Sequence, residues 1–116
     1  QRAAQQGDAK AQSNLGTMLD QGRGVPKNDA EAVQWYRRAA EQGHVFAQSI
    51  LGAMLNQGEG VAQNDEQAYF WFLLAGAHLE QGRAGRNFVQ KRLSASQVTK
   101  LQAQAAAWKP KKEPQP

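Results

Sequence analysis

The sequence of this 116-residue chain repeats itself with a period of 36 residues, which limits the folds that it can adopt. Residues 43–78 repeat residues 7–42, with 17 of the 36 aligned positions identical. The matching segments include AQS at 11–13 and 47–49, LG at 15–16 and 51–52, and GV at 24–25 and 60–61. A repeat of this length holds one supersecondary unit, which buries its apolar face against its neighbours. The period therefore predicts a row of stacked units rather than one central core.

Each unit is predicted to contain two helices joined by a glycine-rich turn. In the first unit, Asp8 can cap a helix, and Gly22 can end it in the left-handed conformation. The apolar positions of this helix follow a helical spacing and are Ala11, Leu15, Met18 and Leu19. Asp29 is predicted to cap the second helix. Its buried face is predicted to hold Ala32, Trp35, Tyr36 and Ala39.

A glycine lies inside the first helix of both units, at Gly16 and Gly52. A glycine there costs about 1 kcal/mol relative to alanine, so its recurrence predicts that a neighbouring side chain approaches the backbone closely. We expect this side chain to be the ring of Trp35 or Tyr36 in the first unit, and its copy in the second.

The ends of the chain depart from the period. Residues 1–6 match the end of a unit's second helix and are predicted to be the remnant of a preceding, truncated repeat. The second helix of the second unit is apolar on nearly every side and therefore needs cover from the sequence that follows it. Residues 79–108 are predicted to supply that cover as divergent capping helices.

Two features define the capping segment. A short helix is predicted over about residues 84–92, and a second one begins at Ser94, which forms a capping box with Gln97. From Lys109 the sequence KPKKEPQP has no apolar residue to bury, so residues 109–116 are predicted to be a disordered tail.

The unit A...LG.ML..G.GV..D...A..WY..AAEQG, read at residues 11–43, resembles the Sel-one-like repeat, a relative of the tetratricopeptide repeat. The resemblance covers residues 1 to about 82. It implies an all-α, right-handed α-α solenoid of helix-turn-helix repeats. It also implies a concave face that binds protein partners, commonly as an adaptor in bacterial envelope, secretion or signalling assemblies.

The sequence offers little chemistry. It contains no cysteine and none of the motifs GxxxxGK, HExxH or GxSxG, and His44 and His78 stand apart from any carboxylate at ligand spacing. Surface or capping positions are predicted for both histidines, and capping for the pair Asp65 and Glu66. We therefore predict a protein that is not an enzyme, with no catalytic residue, no cofactor and no metal site.

A flank of the first helices is the predicted partner-binding surface for a peptide or helix. It is polar in the first unit and partly apolar in the second, and an apolar anchor in a polar surround suits peptide recognition. An alternative is that the apolar positions only touch the terminal helices. The flank consists of Lys10, Asn14, Thr17 and Gln21, and of Phe46, Ile50, Ala53 and Gln57.

The positive charge lies at one end of the chain. Residues 1–80 carry six Lys/Arg and nine Asp/Glu, a net −3, and residues 81–116 carry eight and one, a net +7. The basic patch is formed by Arg83, Arg86, Lys91 and Arg92. Three interpretations stay open: a solvated face with a solubilising tail, an electrostatic adaptor for an acidic protein or membrane surface, and nucleic-acid binding. We favour a protein partner over nucleic acid or membrane. The compartment stays open between a bacterial periplasm or envelope and the cytoplasm.

Overall fold

The structure, a computed structural model, describes residues 2–5 and 7–113. These residues form seven α-helices and no strand. The helices are α1 (Arg2–Gln5), α2 (Ala9–Gln21), α3 (Asp29–Glu41), α4 (Val45–Gln57), α5 (Asp65–Gly76), α6 (Glu80–Gln90) and α7 (Ala95–Ala107). Each helix packs on the next as far as α6, and α7 packs on α5. The result is an elongated helical solenoid of 43 × 28 × 22 Å. None of the described helices combines the length and the apolar character that crossing a membrane requires.

The first helix of each repeat begins and ends where the sequence predicts. The carboxylate of Asp8 accepts a hydrogen bond of 2.9 Å from the amide of Ala11 and so caps α2. Gly22 ends α2 with φ 68°, and its amide donates to the carbonyl of Met18. Gly58 ends α4 in the same way, with φ 74°. A left-handed glycine therefore turns the chain toward the second helix in both repeats.

The cap of the second helix is one residue earlier than predicted. Asn28, not Asp29, is the N-cap of α3, since its side chain accepts a 3.0 Å hydrogen bond from the amide of Glu31. Asn64 caps α5 in the same position. Asp29 is the first helical residue, and its carboxylate is bound by Lys27 at 2.8 Å. The prediction failed because Asn and Asp are comparable caps, and the sequence places them side by side.

The internal glycines give room to an aromatic ring, as predicted. A Cβ atom on Gly16 would lie 3.0 Å from the ring of Tyr36, and one on Gly52 would lie 2.9 Å from the ring of Phe72. Each helix pair can thus pack with the ring directly on the backbone of its partner.

The buried face of α3 is wider than predicted, and Trp35 is not fully part of it. Val33 and Ala40 are buried, because α3 packs on both α2 and α4. Trp35 lies at the edge and is only half-buried. The guanidinium of Arg38 lies over the Trp35 ring, 4.7 Å from the ring centroid.

The capping segment covers α5, as its apolar surface predicts. Helix α6 begins at Glu80, earlier than the predicted 84, and the two glycines in its first turns face α5 rather than break the helix. Gly82 lies against the backbone of Gly76, and Gly85 lies against the ring of Phe72. The predicted capping box of Ser94 and Gln97 is present at the start of α7.

The predicted disordered tail differs most from the structure. Residues 109–113 lie against the first repeat, where Glu113 forms an ion pair of 2.8 Å with Arg38. The tail lacks apolar residues, but an extended backbone and one carboxylate are enough to make these contacts. Residues 114–116 of the predicted tail lie outside the described residues.

The predicted remnant at residues 1–6 contains α1, while residues 1 and 6 lie outside the described residues. The junction from α1 to α2 has the same geometry as the junction from α3 to α4. Gly7 and Gly43 have φ values of 98° and 94°. The buried amides of Gln12 and Gln48 donate to the carbonyls of Ala4 and Ala40 at 3.0 and 3.1 Å.

Candidate partner-binding surfaces

The first-repeat half of the predicted flank lies on α2 and is polar. Thr17 is half-buried, and its hydroxyl lies 2.8 Å from that of Tyr36. This residue therefore supports the α2–α3 contact as well as lining the flank. The other three residues are exposed: Lys10, Asn14 and Gln21.

The second-repeat half lies on α4 and exposes one large apolar side chain. Phe46 is 57% exposed, which makes it the most exposed of the large hydrophobic residues. Ile50 and Ala53 are half-buried and pack on the core, whereas Gln57 is exposed. The flank thus exposes a large apolar side chain on α4, while α2 is polar at the equivalent positions. The terminal helices thus leave most of Phe46 uncovered.

His44 supports this surface as a cap. Its Nδ1 atom accepts a hydrogen bond of 3.3 Å from the amide of Ala47, so that it is the N-cap of α4. Burial lowers the pKa of His44 below its ordinary 6.5, which favours the neutral ring that this hydrogen bond requires. The predicted capping position is confirmed. His78 lies exposed in the turn after α5.

Two residues of the predicted basic patch are paired with acidic side chains. Arg83 contacts Glu80 at 3.0 Å, and Arg92 lies 3.6 Å from Asp65. Arg92 also lies over the ring of Phe88, 5.0 Å from its centroid. The guanidinium of Arg86 donates to the side chain of its neighbour Asn87, and Lys91 is exposed. The net charge therefore overstates the positive charge that this patch offers to a partner.

An acidic cluster between the two turns was not predicted from the sequence. Carboxylate oxygens of Asp20, Asp29 and Glu59 all lie within 4.8 Å of one another. Gly60 brings the second turn against the backbone of Asp29, which places Glu59 beside the acids of the first repeat. Burial, together with the hydrogen bond to Asp29, raises the pKa of Asp20.

Lys27 occupies this cluster. Its ammonium donates to Asp29 and to the backbone carbonyl of Asp20, both at 2.8 Å. The hydrogen bond from Lys27 lowers the pKa of Asp29. No other group of three acidic or histidine side chains in the described part of the chain could share an ion. Since Lys27 already supplies the compensating positive charge, the cluster serves as a structural contact between the two turns.

A second unpredicted cluster holds the carboxylate of Glu113 at the end of the first repeat. Arg38 donates to both carboxylate oxygens, at 2.8 and 3.1 Å, and the amide of Gln12 donates to one of them at 3.0 Å. The hydrogen bond to Arg38 lowers the pKa of Glu113 and raises that of Arg38. One signal in the sequence pointed here: Gln12 and its copy Gln48 are polar residues that recur next to the apolar stripe.

An open groove of about 450 Å³ lies at the equivalent end of the second repeat. Gln48, Leu74 and His78 line it from the repeat, and Trp108 and Pro110 line it from the C-terminal side. The ring of Trp108 packs edge-on against that of Trp71, with centroids 6.2 Å apart.

The architecture and these surfaces define a class: an α-solenoid of helix-turn-helix repeats with exposed side chains along one flank. The family model described as Sel1 repeat matches residues 9–44 and 45–78. The chain belongs to the Sel1 repeat family, the same Sel-one-like repeat that residues 11–43 resemble. This family is typically non-catalytic and commonly serves as a protein-interaction scaffold.

Two solved structures share the fold. A protective antigen present in uropathogenic Escherichia coli strains, which displays an SLR fold, is 38% identical over 91% of this chain, with a TM-score of 0.85. A Sel1 repeat protein from Oxalobacter formigenes is 41% identical over 74% of this chain, with a TM-score of 0.71. The chain spans 23% and 36% of the lengths of these two proteins. No curated protein sequence matches the chain significantly.

Proposed function

We propose that this chain is a non-catalytic protein-interaction module, which binds a peptide or helix of a partner on the flank of α2 and α4. One observation carries the proposal: Phe46 is 57% exposed on α4, while its neighbours toward the core, Ile50 and Ala53, are half-buried. An exposed aromatic ring in a polar surround is a common anchor for a peptide. The family's usual role agrees with this proposal.

The affinity for a single peptide should be modest. Two repeats present a small surface, and binding must offset the entropy lost by an ordered peptide, so a Kd in the roughly micromolar range is expected. Removing the ring of one anchor residue should then weaken binding by about thirtyfold or more, since hot spots cost about 2 kcal/mol or more.

The test uses peptides selected by display on the full chain. Phe46→Ala should abolish or strongly weaken the binding of selected peptides while leaving the melting curve near that of the wild type. Phe88→Ala is the matched control, because Phe88 is 52% exposed but lies on α6. Peptides that bind Phe46→Ala as well as the wild type, or a selection that yields no binder, would contradict the proposal.

Ile50→Ala is a weaker test than Phe46→Ala. The Ile50 side chain packs on the core, so its loss should reduce both stability and binding. A loss of binding in this variant counts only after correction for the unfolded fraction.

The alternative function is an electrostatic adaptor that uses residues 83–112 to dock on an acidic protein, a membrane surface or nucleic acid. It is favoured by exposed lysines in this segment, namely Lys91, Lys100, Lys109, Lys111 and Lys112. The double substitution Lys111→Gln and Lys112→Gln tests it without removing Glu113. Binding that survives this substitution and a rise in salt from low to physiological concentration would exclude a role for the tail lysines.

A further inference from the structure

Residues 109–113 bind the first repeat as an extended peptide. The amide of Lys111 donates to the carbonyl of Glu41, at the end of α3, over 2.6 Å. Pro110 packs on Gly43, where a Cβ atom would lie 3.4 Å from the proline ring. A backbone hydrogen bond and a contact with a glycine do not depend on the identity of the bound side chains. Another extended peptide could therefore make the same contacts.

The carboxylate of Glu113 is recognised by a fixed guanidinium. Nε and Nη2 of Arg38 donate to the two oxygens of Glu113 at 3.1 and 2.8 Å, which is the bidentate arrangement. One face of the guanidinium lies over the ring of Trp35, 4.7 Å from the ring centroid, while its edge binds the carboxylate. These two contacts orient Arg38, and its planar edge selects a planar anion.

A buried amide completes this site. Gln12 is fully buried, and its Nε2 atom donates both to Glu113 and to the carbonyl of Ala4, each at 3.0 Å. Its oxygen accepts a 2.8 Å hydrogen bond from Gln42. Because Gln42 and Ala4 fix the amide, Gln12 presents a donor to the bound group, and an acceptor such as a carboxylate is what fits there.

A comparison with the second repeat shows which of these residues the fold requires and which are required only for binding the carboxylate. Gln48 is buried and donates to Ala40, as Gln12 does to Ala4, so this amide belongs to the stacking of repeats. The residue equivalent to Arg38, however, is Leu74. The stacking therefore does not require the guanidinium, and the carboxylate site is confined to the first repeat.

We propose that Gln12, Arg38 and Gln42 form a binding site for an extended, carboxylate-bearing peptide, which residues 109–113 occupy in cis and which an acidic segment of a partner protein occupies when it displaces them. The site lies apart from the flank with Phe46, so the inference goes beyond the proposed function and can fail without it.

The contacts of residues 109–113 would allow a competing peptide to displace them. Pro110 and Lys111 are exposed, and the Arg38 side chain stays 39% exposed even with Glu113 bound. Water and salt reach an ion pair with this much exposure, so a carboxylate of another peptide can compete for Arg38. The bound segment nevertheless competes well with a free peptide, because its attachment to α7 gives it a high effective concentration, on the order of millimolar.

The test uses the full chain and a capped synthetic peptide with the sequence of residues 109–113. Glu113→Gln should release residues 109–113 from the site. The free peptide should therefore bind this variant at least about tenfold more tightly than it binds the wild type. Adding Arg38→Leu, the residue of the second repeat, to Glu113→Gln should abolish binding. Adding Arg37→Leu instead is the matched control, since it removes the neighbouring guanidinium, and binding should persist.

A second readout does not depend on the stability of the Arg38 variant. The side-chain amide signals of Gln12 in an NMR spectrum should shift in Glu113→Gln and return toward their wild-type positions when the peptide is added. Equal peptide binding to wild type and Glu113→Gln, binding that survives Arg38→Leu, or an unmoved Gln12 signal would each overturn the proposal. A wild-type dimer that dissociates in Glu113→Gln would also overturn it, because a second copy would then supply the segment.

Discussion

At the scale of single residues, Gly52 in α4 and Gly85 in α6 leave room for one aromatic ring. The ring of Phe72 lies between Gly52 and Gly85. Both helices can approach the ring this closely only because these two residues have no side chain. The glycines are thus part of the packing, although each one weakens its own helix.

Gly52→Ala should destabilise the protein by about 1–3 kcal/mol, although alanine is the better helix former. The reason is that the new methyl group would lie 2.9 Å from the ring of Phe72. Chemical denaturation of the variant and the wild type measures the difference. Unchanged or increased stability would show that the ring moves away freely.

The structural role of a residue could be predicted from the sequence where local geometry allows only one candidate. It could not be predicted where two adjacent residues can take the same role. Gly22 and Asp8 act within one turn of the chain, and the sequence was sufficient to place them. Asn28 and Asp29 are adjacent and comparable as caps, so residue type alone could not decide which of them caps α3.

At the scale of the elements, the N-terminus of α4 links stability to pH. The first repeat uses Asp8 to cap α2, but the second uses His44 at the equivalent position. Burial lowers the pKa of His44 in the folded state. Neutral His44 accepts the capping hydrogen bond, and its protonated form cannot.

The stabilisation from this cap should be fully present above about pH 6.5, the ordinary pKa of histidine, and should be lost as the pH falls through the lower pKa of the folded state. Unfolding measured at about pH 7.5 and about pH 5.5 should therefore show a loss for the wild type. His44→Asn, which keeps a capping side chain that does not titrate, should lose less over the same range. An equal loss in both proteins would show that another group carries the pH dependence.

Element boundaries followed from the sequence except where tertiary contacts decide them. Helix α6 begins four residues before the predicted position, because its glycines lie against α5. The position of residues 109–113 could not be predicted at all, since Gln12 and Glu113 are separated by 101 residues. The candidate flank could be located from the period, but the exposure of Phe46 required the structure.

At the scale of the whole molecule, the buried residues form one elongated core that runs along the solenoid from Ala4 to Leu101. Helices contact their neighbours along the chain, and the apolar faces of α5 are covered by α6 and α7. Stability in such an array is a sum of nearest-neighbour terms, so a local defect should weaken nearby units most.

Leu101→Ala tests this arrangement, because Leu101 is the buried leucine of α7. Its loss should cost about 2–5 kcal/mol and should reduce hydrogen-exchange protection in α5–α7 more than in α2 and α3. Leu19→Ala, at a similarly buried position of α2, should give the reverse order. A uniform loss of protection in both variants would mean that the chain unfolds as one unit.

Chemical-shift mapping tests whether the flank of α2 and α4 binds a peptide. A peptide selected on the full chain is titrated into the isotopically labelled protein, and the shifted backbone signals are assigned. Binding on this flank predicts that the largest shifts lie around Phe46 and along Lys10, Asn14, Thr17 and Gln21. Shifts confined to α6 and α7, around Arg86 and Lys91, would contradict it and would favour the electrostatic alternative.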